Sequence, residues 1–325
     1  MQLDFRGAIR KALHDELAAD PTVIMFGEDI GAAGGAFAVT MGLQEKYPGR
    51  VLDTPISELA LSGAGFGAAV CGLRPVVEIM FGDFLPLAMD SLLNQATKFW
   101  YMSNQQASVP MVVRCVVGAG GRFGPIHSQT PIAWFMSVPG IKIVGPSTPA
   151  DAYALLRAAV RDENPVLFLE HKRLYTLKGE VDDVAQSIGR AAVLRSGQDL
   201  TVVSALRAVR DCLEAAAMLE PAGVSVEVID LKTLRPPDIA TIVESVKKTR
   251  RLMVVEEGPH TGGWAAEIVA AVTEQCLAVM HSAWRLTTAD HPVPYSPALE
   301  DAFLPNAASI VASVNHHLAG GKVNA

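Results

Sequence analysis

The chain has 325 residues, half of them hydrophobic and 19% charged, with 27 basic side chains against 34 acidic ones and a net charge of −7. Such a composition supplies large cores and excludes general disorder, and the acidic balance argues against nucleic acid as a main partner, because phosphate binding concentrates Lys and Arg. At about 100–200 residues per domain the length points to two domains, and the apolar surplus fits either well-filled cores or a face buried on another subunit.

In chain order, Ile9, Ala12, Leu13 and Leu17 share one face, which predicts a helix over Phe5–Ala19. The N-terminal segment carries acidic residues and no apolar h-region, so it reads as neither a secretory signal nor a transit peptide, and a cytoplasmic protein is expected. Thr22–Phe26 is a β-branched strand run ending at Gly27-Glu28-Asp29. A glycine-rich loop, a strand at Val51–Leu52 and a helix over Glu58–Gly72 follow. Within that helix Leu59–Leu73 is uncharged but shorter than the roughly 20 residues of a membrane span, so a buried helix and no membrane partner are expected.

A strand at Pro75–Ile79, a long helix from Leu85 to Met102, and strands at Met111–Val117, Ile141–Val144 and Val166–Glu170 come next. Ser147-Thr148-Pro149 opens a helix to Arg161, as N-cap and early proline. These strands are continuous apolar runs alternating with helices, the pattern of a mostly parallel sheet covered on both faces. The polar stretch Thr176–Ile188 reads as a linker. Beyond it a second series alternates strands (Leu200–Ser204, Val224–Ile229, Leu252–Glu256, Trp284–Thr288) with helices (Val209–Leu219, Asp238–Lys248, Gly263–Cys276). The expected fold is α/β, two open mostly parallel-sheet domains over residues 1–180 and 188–325.

Cys71, Cys115, Cys212 and Cys276 are far apart and lack zinc spacing, which suggests buried free thiols in a reducing compartment. The His316–His317 pair reads as surface or helix-end residues. In an open parallel sheet, ligands bind beyond the carboxyl ends of the strands. That rule singles out Glu28, Glu58 and the Met80–Phe84 turn as parts of one cleft. An acidic residue early in a helix also serves as a partner of the helix dipole, so position alone leaves the role of Glu58 open. Gly118, Gly120, Gly121 and Gly124 follow a strand but open no G-x-G-x-x-G helix, a weak phosphate signal. His127 at the end of that loop is a candidate acid–base or anion-binding group.

Several longer motifs occur together: GEDIG (Gly27–Gly31), LDTPISE (Leu52–Glu58), GLRPVVEIMFGDF (Gly72–Phe84), HSQ (His127–Gln129), PGIKIVGPSTPADA (Pro139–Ala152) and RDENPVLFLEHKRLY (Arg161–Tyr175). With VVEEGPHTGGWAAEI (Val254–Ile268) and HPVPYSPALEDAFLPN (His291–Asn306), they resemble the beta subunit of the thiamine-diphosphate-dependent decarboxylating component of 2-oxo acid dehydrogenase complexes. Pyruvate, branched-chain 2-oxo acid and acetoin dehydrogenases form this group. The resemblance implies a pyrimidine-binding domain followed by a transketolase C-terminal-like domain.

It also implies roles. Glu58 matches the glutamate that bonds a pyrimidine ring nitrogen and promotes the imino tautomer, which removes the thiazolium proton. Glu28 matches a second glutamate near the pyrimidine, and Phe84 an aromatic packed on its face, against the alternative of ordinary core packing. His127 matches the histidine that faces the substrate, where it orients the 2-oxo acid or assists acyl transfer to a lipoyl group. A monovalent-cation (K⁺) site made of backbone carbonyls would involve Met111, Ala159, Val160, Asp162 and Asn164. The sequence has no GDG…N motif for Mg²⁺ and diphosphate, as the resemblance implies for a chain whose alpha subunit holds them in an α2β2 heterotetramer docked on a lipoyl acyltransferase core. Pyruvate, branched-chain acids and acetoin are not separated by these motifs. One alternative is an acetoin dehydrogenase beta subunit or another thiamine-dependent C–C cleaving enzyme, and a second is a non-catalytic scaffold subunit, against which Glu58 argues.

Overall fold

The computed structural model describes residues 1–319. Its elements run β1 (Gln2–Asp4), α1 (Phe5–Ala19), β2 (Val23–Gly27), α2 (Leu43–Lys46), β3 (Val51–Asp53), α3 (Glu58–Val70), β4 (Arg74–Ile79) and α4 (Thr97–Met102). There follow β5 (Val112–Val117), α5 (Ile132–Met136), β6 (Lys142–Val144), α6 (Pro149–Val160), β7 (Val166–His171) and β8 (Lys178–Glu180). The second half holds β9 (Ala192–Arg195), β10 (Leu200–Ser204), α7 (Ala208–Leu219), β11 (Val226–Asp230), β12 (Thr233–Arg235) and α8 (Ile239–Thr249). It ends with β13 (Arg251–Pro259), α9 (Trp264–Cys276), β14 (Ser282–Thr288), α10 (Pro297–Phe303) and α11 (Ala307–Leu318).

The first sheet has the order β12-β6-β7-β5-β4-β2-β3 and is parallel except at β12. Helices α1 and α6 bury Phe5, Ile9, Leu13 and Leu156 on one face. On the other face Leu61, Leu85, Leu92 and Phe135 pack over Val77, Ile79 and Val113. The second sheet, β14-β13-β10-β11-β9, is parallel except at β9. Several helix starts follow from local chemistry: the hydroxyls of Ser57 and Thr148 accept the amides of Ala60 (3.3 Å) and Asp151 (3.1 Å), and Asp238 accepts that of Thr241 (3.2 Å). Each satisfies an N–H that the helix itself leaves free.

Four expectations need correction. The Leu85–Met102 segment is not one helix: it passes from a 3₁₀ stretch at Gly82–Ala88 to a π stretch at Asp90–Ala96 before α4. Pro86 has no N–H to give and its ring opposes a regular turn. The linker stretch contains β8, which pairs antiparallel with β1 and so belongs to the first domain. The helix over Leu59–Leu73 is only half buried, because Leu59, Ala60 and Ala64 face outward. Cys71 is exposed, while Cys115, Cys212 and Cys276 are buried and free.

The domains are also knitted together. Strand β12, from the second half of the chain, pairs with β6 of the first sheet, and one hydrophobic cluster runs from Ile79 and Val113 to Leu234, Val254 and Trp264. No helix among the described residues is long and apolar enough to cross a membrane.

Candidate active site

Strands β3, β2 and β4 are neighbours, so the segments leaving their carboxyl ends share one edge of the sheet. Glu58 is the first residue of α3, buried just after its Ser57 cap. Glu28 leaves β2, and its carboxyl is pushed above the usual range by burial first, then by the charges of Asp29 and Glu58. The two predicted carboxylates are therefore within electrostatic reach of one another. The amide of Thr54 donates to the carbonyl of Gly27, the residue before Glu28, at 3.0 Å, and the buried hydroxyl of Thr54 has no hydrogen-bond partner. An unpaired buried hydroxyl beside the end of β2 fits a polar ligand placed there.

Phe84 stands on the 3₁₀ stretch, and that stretch packs against α3. Its ring meets that of His127 edge-on, centroids 5.5 Å apart, and Phe81 touches both, at 6.1 Å from Phe84 and 4.7 Å from His127. Gly82 permits this approach, since a Cβ there would lie 2.9 Å from Val117 and 3.2 Å from the carbonyl of Gln129. The structure thus brings Phe84 and His127 together, as it does Glu28 and Glu58.

The His127 loop is shaped from outside. Gly118 and Gly124 adopt φ of +94° and +72°, a region open chiefly to glycine, and they lie against the rings of His171 and Tyr295. Three of the loop amides are already taken: Ala119 donates to Glu257 at 2.6 Å, and Gly120 and Arg122 to Glu300 at 2.7 and 3.2 Å. A phosphate cradle needs free amides, so this run of glycines serves close packing under the second domain. Sequence reasoning missed Glu257 and Glu300.

It also missed a buried charge network behind the site. Arg114 on β5 donates through Nε and Nη2 to Glu170 on β7 at 2.7 and 2.9 Å, and through Nη1 to Glu78 on β4. The Tyr175 hydroxyl closes the group, 2.9 Å from Glu170. The carboxylates of Glu170 and Glu78 outweigh burial and hold the guanidinium above its ordinary value. The signal in the sequence is a lone charge inside each of three apolar strand runs, PVVEI, MVVRCVV and VLFLEH.

Of the carbonyl set, Val160 and Asp162 accept from Arg74 Nη1 at 3.1 and 3.3 Å, and Met111 accepts the amide of Val166 at 2.9 Å. Ala159 accepts the amide of Asp162 at 3.2 Å, and the Asp162 carboxylate takes the amide and side chain of Asn164 at 2.9 and 3.1 Å. A monovalent cation would have to share two of these oxygens with a guanidinium, a poor fit. Among the described residues no group of three or more His, Cys, Asp or Glu is arranged to hold a metal ion.

A cleft of about 890 Å³ lies between the domains, lined by Ser128, Trp134, Glu257, Thr261 and Asp290, but not by Glu28, Glu58, Phe84 or His127. Near Glu58 in the chain Ile56 is 72% and Leu59 55% exposed, and Leu87, on the 3₁₀ stretch packed against α3, is 57% exposed.

Comparison with known proteins identifies the family. Residues 1–178 match the transketolase pyrimidine-binding domain and residues 189–310 the transketolase C-terminal domain. The chain is 44% identical to the beta subunit of acetoin:2,6-dichlorophenolindophenol oxidoreductase from Cupriavidus necator, covering 99% of both chains. It is 42% identical to the 2-oxoisovalerate dehydrogenase subunit beta of Bacillus subtilis, over 96% of this chain and 97% of that one. Identity to the pyruvate dehydrogenase E1 component subunit beta of Rhizobium meliloti is 44%, over 95% of this chain and 68% of the relative. A solved structure described as a split-gene transketolase, an inactive beta4 tetramer, superposes with a TM-score of 0.79 at 25% identity, covering 98% of this chain and 99% of that one. The chain belongs to the transketolase-like family of beta subunits of thiamine-diphosphate-dependent 2-oxo acid and acetoin dehydrogenases.

Proposed function

We propose that this chain is the pyrimidine-binding half of an α2β2 enzyme that decarboxylates a 2-oxo acid oxidatively and passes the acyl group to lipoamide on an acyltransferase core. The observation that carries the reading is Glu58, a carboxylate buried at a helix N-terminus, within electrostatic reach of Glu28 and flanked in the chain by the exposed Ile56 and Leu59. Bound thiamine diphosphate supplies a nucleophilic carbon and an electron sink. In this reading Glu58 holds the proton at a pyrimidine ring nitrogen, and Glu28, already biased toward its protonated form, extends the proton path. Phe84 packs on the ring face, and His127 orients the 2-oxo acid or assists acyl transfer.

The diphosphate and its Mg²⁺ fall to the alpha subunit, which would cover Ile56, Leu59 and Leu87. A relative described as an inactive tetramer of beta chains alone supports that division. K⁺ has no part in this reading, because Arg74 already donates to the carbonyls of Val160 and Asp162. A cytoplasmic setting belongs to the same reading, supported by the free thiols.

A second reading, acetoin as substrate, is favoured by the relative from Cupriavidus necator that is 44% identical over 99% of both chains. One experiment tests both. The purified chain is mixed with its alpha subunit, thiamine diphosphate and Mg²⁺, then assayed with pyruvate, branched-chain 2-oxo acids and acetoin against an artificial electron acceptor. Turnover of a 2-oxo acid that needs both subunits is expected. Full activity from the chain alone would overturn the partnership, and turnover confined to acetoin would select the second reading.

A further inference from the structure

The imidazole of His127 is packed edge-on by Phe81 and Phe84, at 4.7 and 5.5 Å. Ring packing alone leaves a side chain free to slide in the ring plane. What fixes the main chain beneath it is Lys172, the residue after β7. Its side chain is buried, and its ammonium donates to the carbonyl of His127. The same ammonium lies 5.4 Å from the centroid of Phe81 and 5.2 Å from that of Phe123. Phe81 is also the ring nearest His127, so a single cation ties the loop carbonyl to the aromatic wall beside the imidazole. The ends of the loop are held differently, by carboxylates: Glu257 and Glu300 take the amides of Ala119 and Gly120, and Asp83 that of Gln129 at 3.3 Å.

We propose that Lys172 is a positioning residue for His127, fixing its carbonyl and adjoining rings so that the imidazole stands at one place on the substrate side of the site. The inference rests on the role given to His127 under the proposed function. A desolvated ammonium is costly, and an apolar residue of similar volume in its place would often be as stable. Burial pulls the lysine pKa down, and the charges of Asp83, Glu257 and Glu300 oppose that shift. What an apolar residue cannot supply is the bond to the carbonyl. Ångström-scale misplacement of a reacting group costs up to about 100-fold in rate.

The test uses the assembly with the alpha subunit and compares wild type, Lys172→Met, His127→Ala and the double variant. Methionine keeps the length and packs well against rings, so the affinity for thiamine diphosphate and the melting temperature should stay near wild type. The kcat for the 2-oxo acid should fall about 10- to 100-fold in Lys172→Met. In the His127→Ala background the same substitution should cost less than about twofold, because residues acting as one unit are not additive. Wild-type kcat in Lys172→Met, or losses that multiply independently, would overturn the proposal. Joint loss of cofactor affinity and melting temperature would overturn it in favour of a purely structural lysine. If the wild-type assembly shows no thiamine-diphosphate-dependent turnover, the functional reading itself falls and this inference with it. The two failures are therefore distinguishable.

Discussion

His171 at the end of β7 and Glu257 in β13 meet across the domain boundary, Nε2 to Oε2, at 2.8 Å. The other carboxylate oxygen of Glu257 accepts the amide of Ala119 at 2.6 Å, so one side chain of the second domain holds both the strand end and the root of the His127 loop. Burial alone would raise the Glu257 carboxyl. The charge and hydrogen bond of His171, with the amide of Ala119, outweigh it and hold the carboxyl below its ordinary range. A folded pKa below the unfolded one gives stability that is present above the unfolded value, near 4.3, and lost as pH falls through the folded value. Glu257→Gln should therefore melt below wild type at pH 7, with the gap closing below about pH 4. A gap constant from pH 3 to 7 would show that ionisation of Glu257 is not involved.

The opposite sign is expected at Asp230. This carboxyl is fully buried at the end of β11, accepts the hydroxyl of Ser147 from the first domain, and takes the amide of Lys232 at 3.0 Å. Burial pushes its pKa up to about 7, against the pull of those hydrogen bonds. An acid whose folded pKa exceeds its unfolded value stabilises fully below the unfolded pKa, near 3.9, and loses that contribution as pH rises toward 7. Asp230→Asn keeps the shape without the charge, and the Ser147 hydroxyl can turn to accept from the new amide. The variant should match wild type near pH 4 and exceed it at pH 8, by on the order of a few kcal/mol at 1.4 kcal/mol per pKa unit. Equal melting curves at pH 8 would refute the buried-charge account.

What the sequence made legible follows from the range of each interaction. Helix starts at Thr148 and Asp238 and the apolar strands β2, β5 and β10 depend on neighbours within a few residues, and they stand where pattern places them. Glu28, Glu58, Phe84 and His127 are candidates by their positions after strands and by motif. The ties that shape their surroundings join residues far apart in the chain, such as Gly120 with Glu300 and Arg114 with Glu170, and no local pattern encodes them. Short edge strands such as β12 are likewise set by the partner strand, here β6, more than by their own propensity. The half-exposed α3 shows a third limit: apolar composition does not tell which faces of a helix its own domain buries.

The contacts of Arg74 lead to a prediction about salts. Its guanidinium donates to the carbonyls of Val160 and Asp162 at 3.1 and 3.3 Å and pairs with Glu163. That guanidinium already occupies two of the carbonyls that a bound alkali ion would use. Replacing potassium with choline at constant ionic strength should leave the melting temperature of the wild-type chain unchanged. In Arg74→Met the carbonyls lose their donor, and potassium should then raise the melting temperature relative to choline. Potassium-dependent melting of the wild type would show instead that an ion is held alongside Arg74.

Glu58 bears the sharpest test of the chemistry. Glu58→Gln changes one oxygen for an amide nitrogen and keeps the volume, and the Ser57 cap and the bond from the Ser62 hydroxyl to the Glu58 carbonyl, 2.7 Å, do not use the side chain. Folding and assembly with the alpha subunit should therefore survive. Glutamine cannot exchange a proton with a pyrimidine nitrogen at neutral pH, so turnover should fall by at least about 100-fold, the lower range of an acid–base contribution. A second readout separates this from trivial loss. The charge of Glu58 helps to raise the Glu28 carboxyl, so removing it should move the Glu28 titration toward the ordinary range in the free chain, as read by NMR or by a pH-dependent difference between the variant and its Glu28→Gln double. An inactive assembly with a shifted Glu28 fits one carboxylate pair serving the pyrimidine. Near-normal turnover in Glu58→Gln would remove Glu58 from the chemistry, whatever Glu28 does.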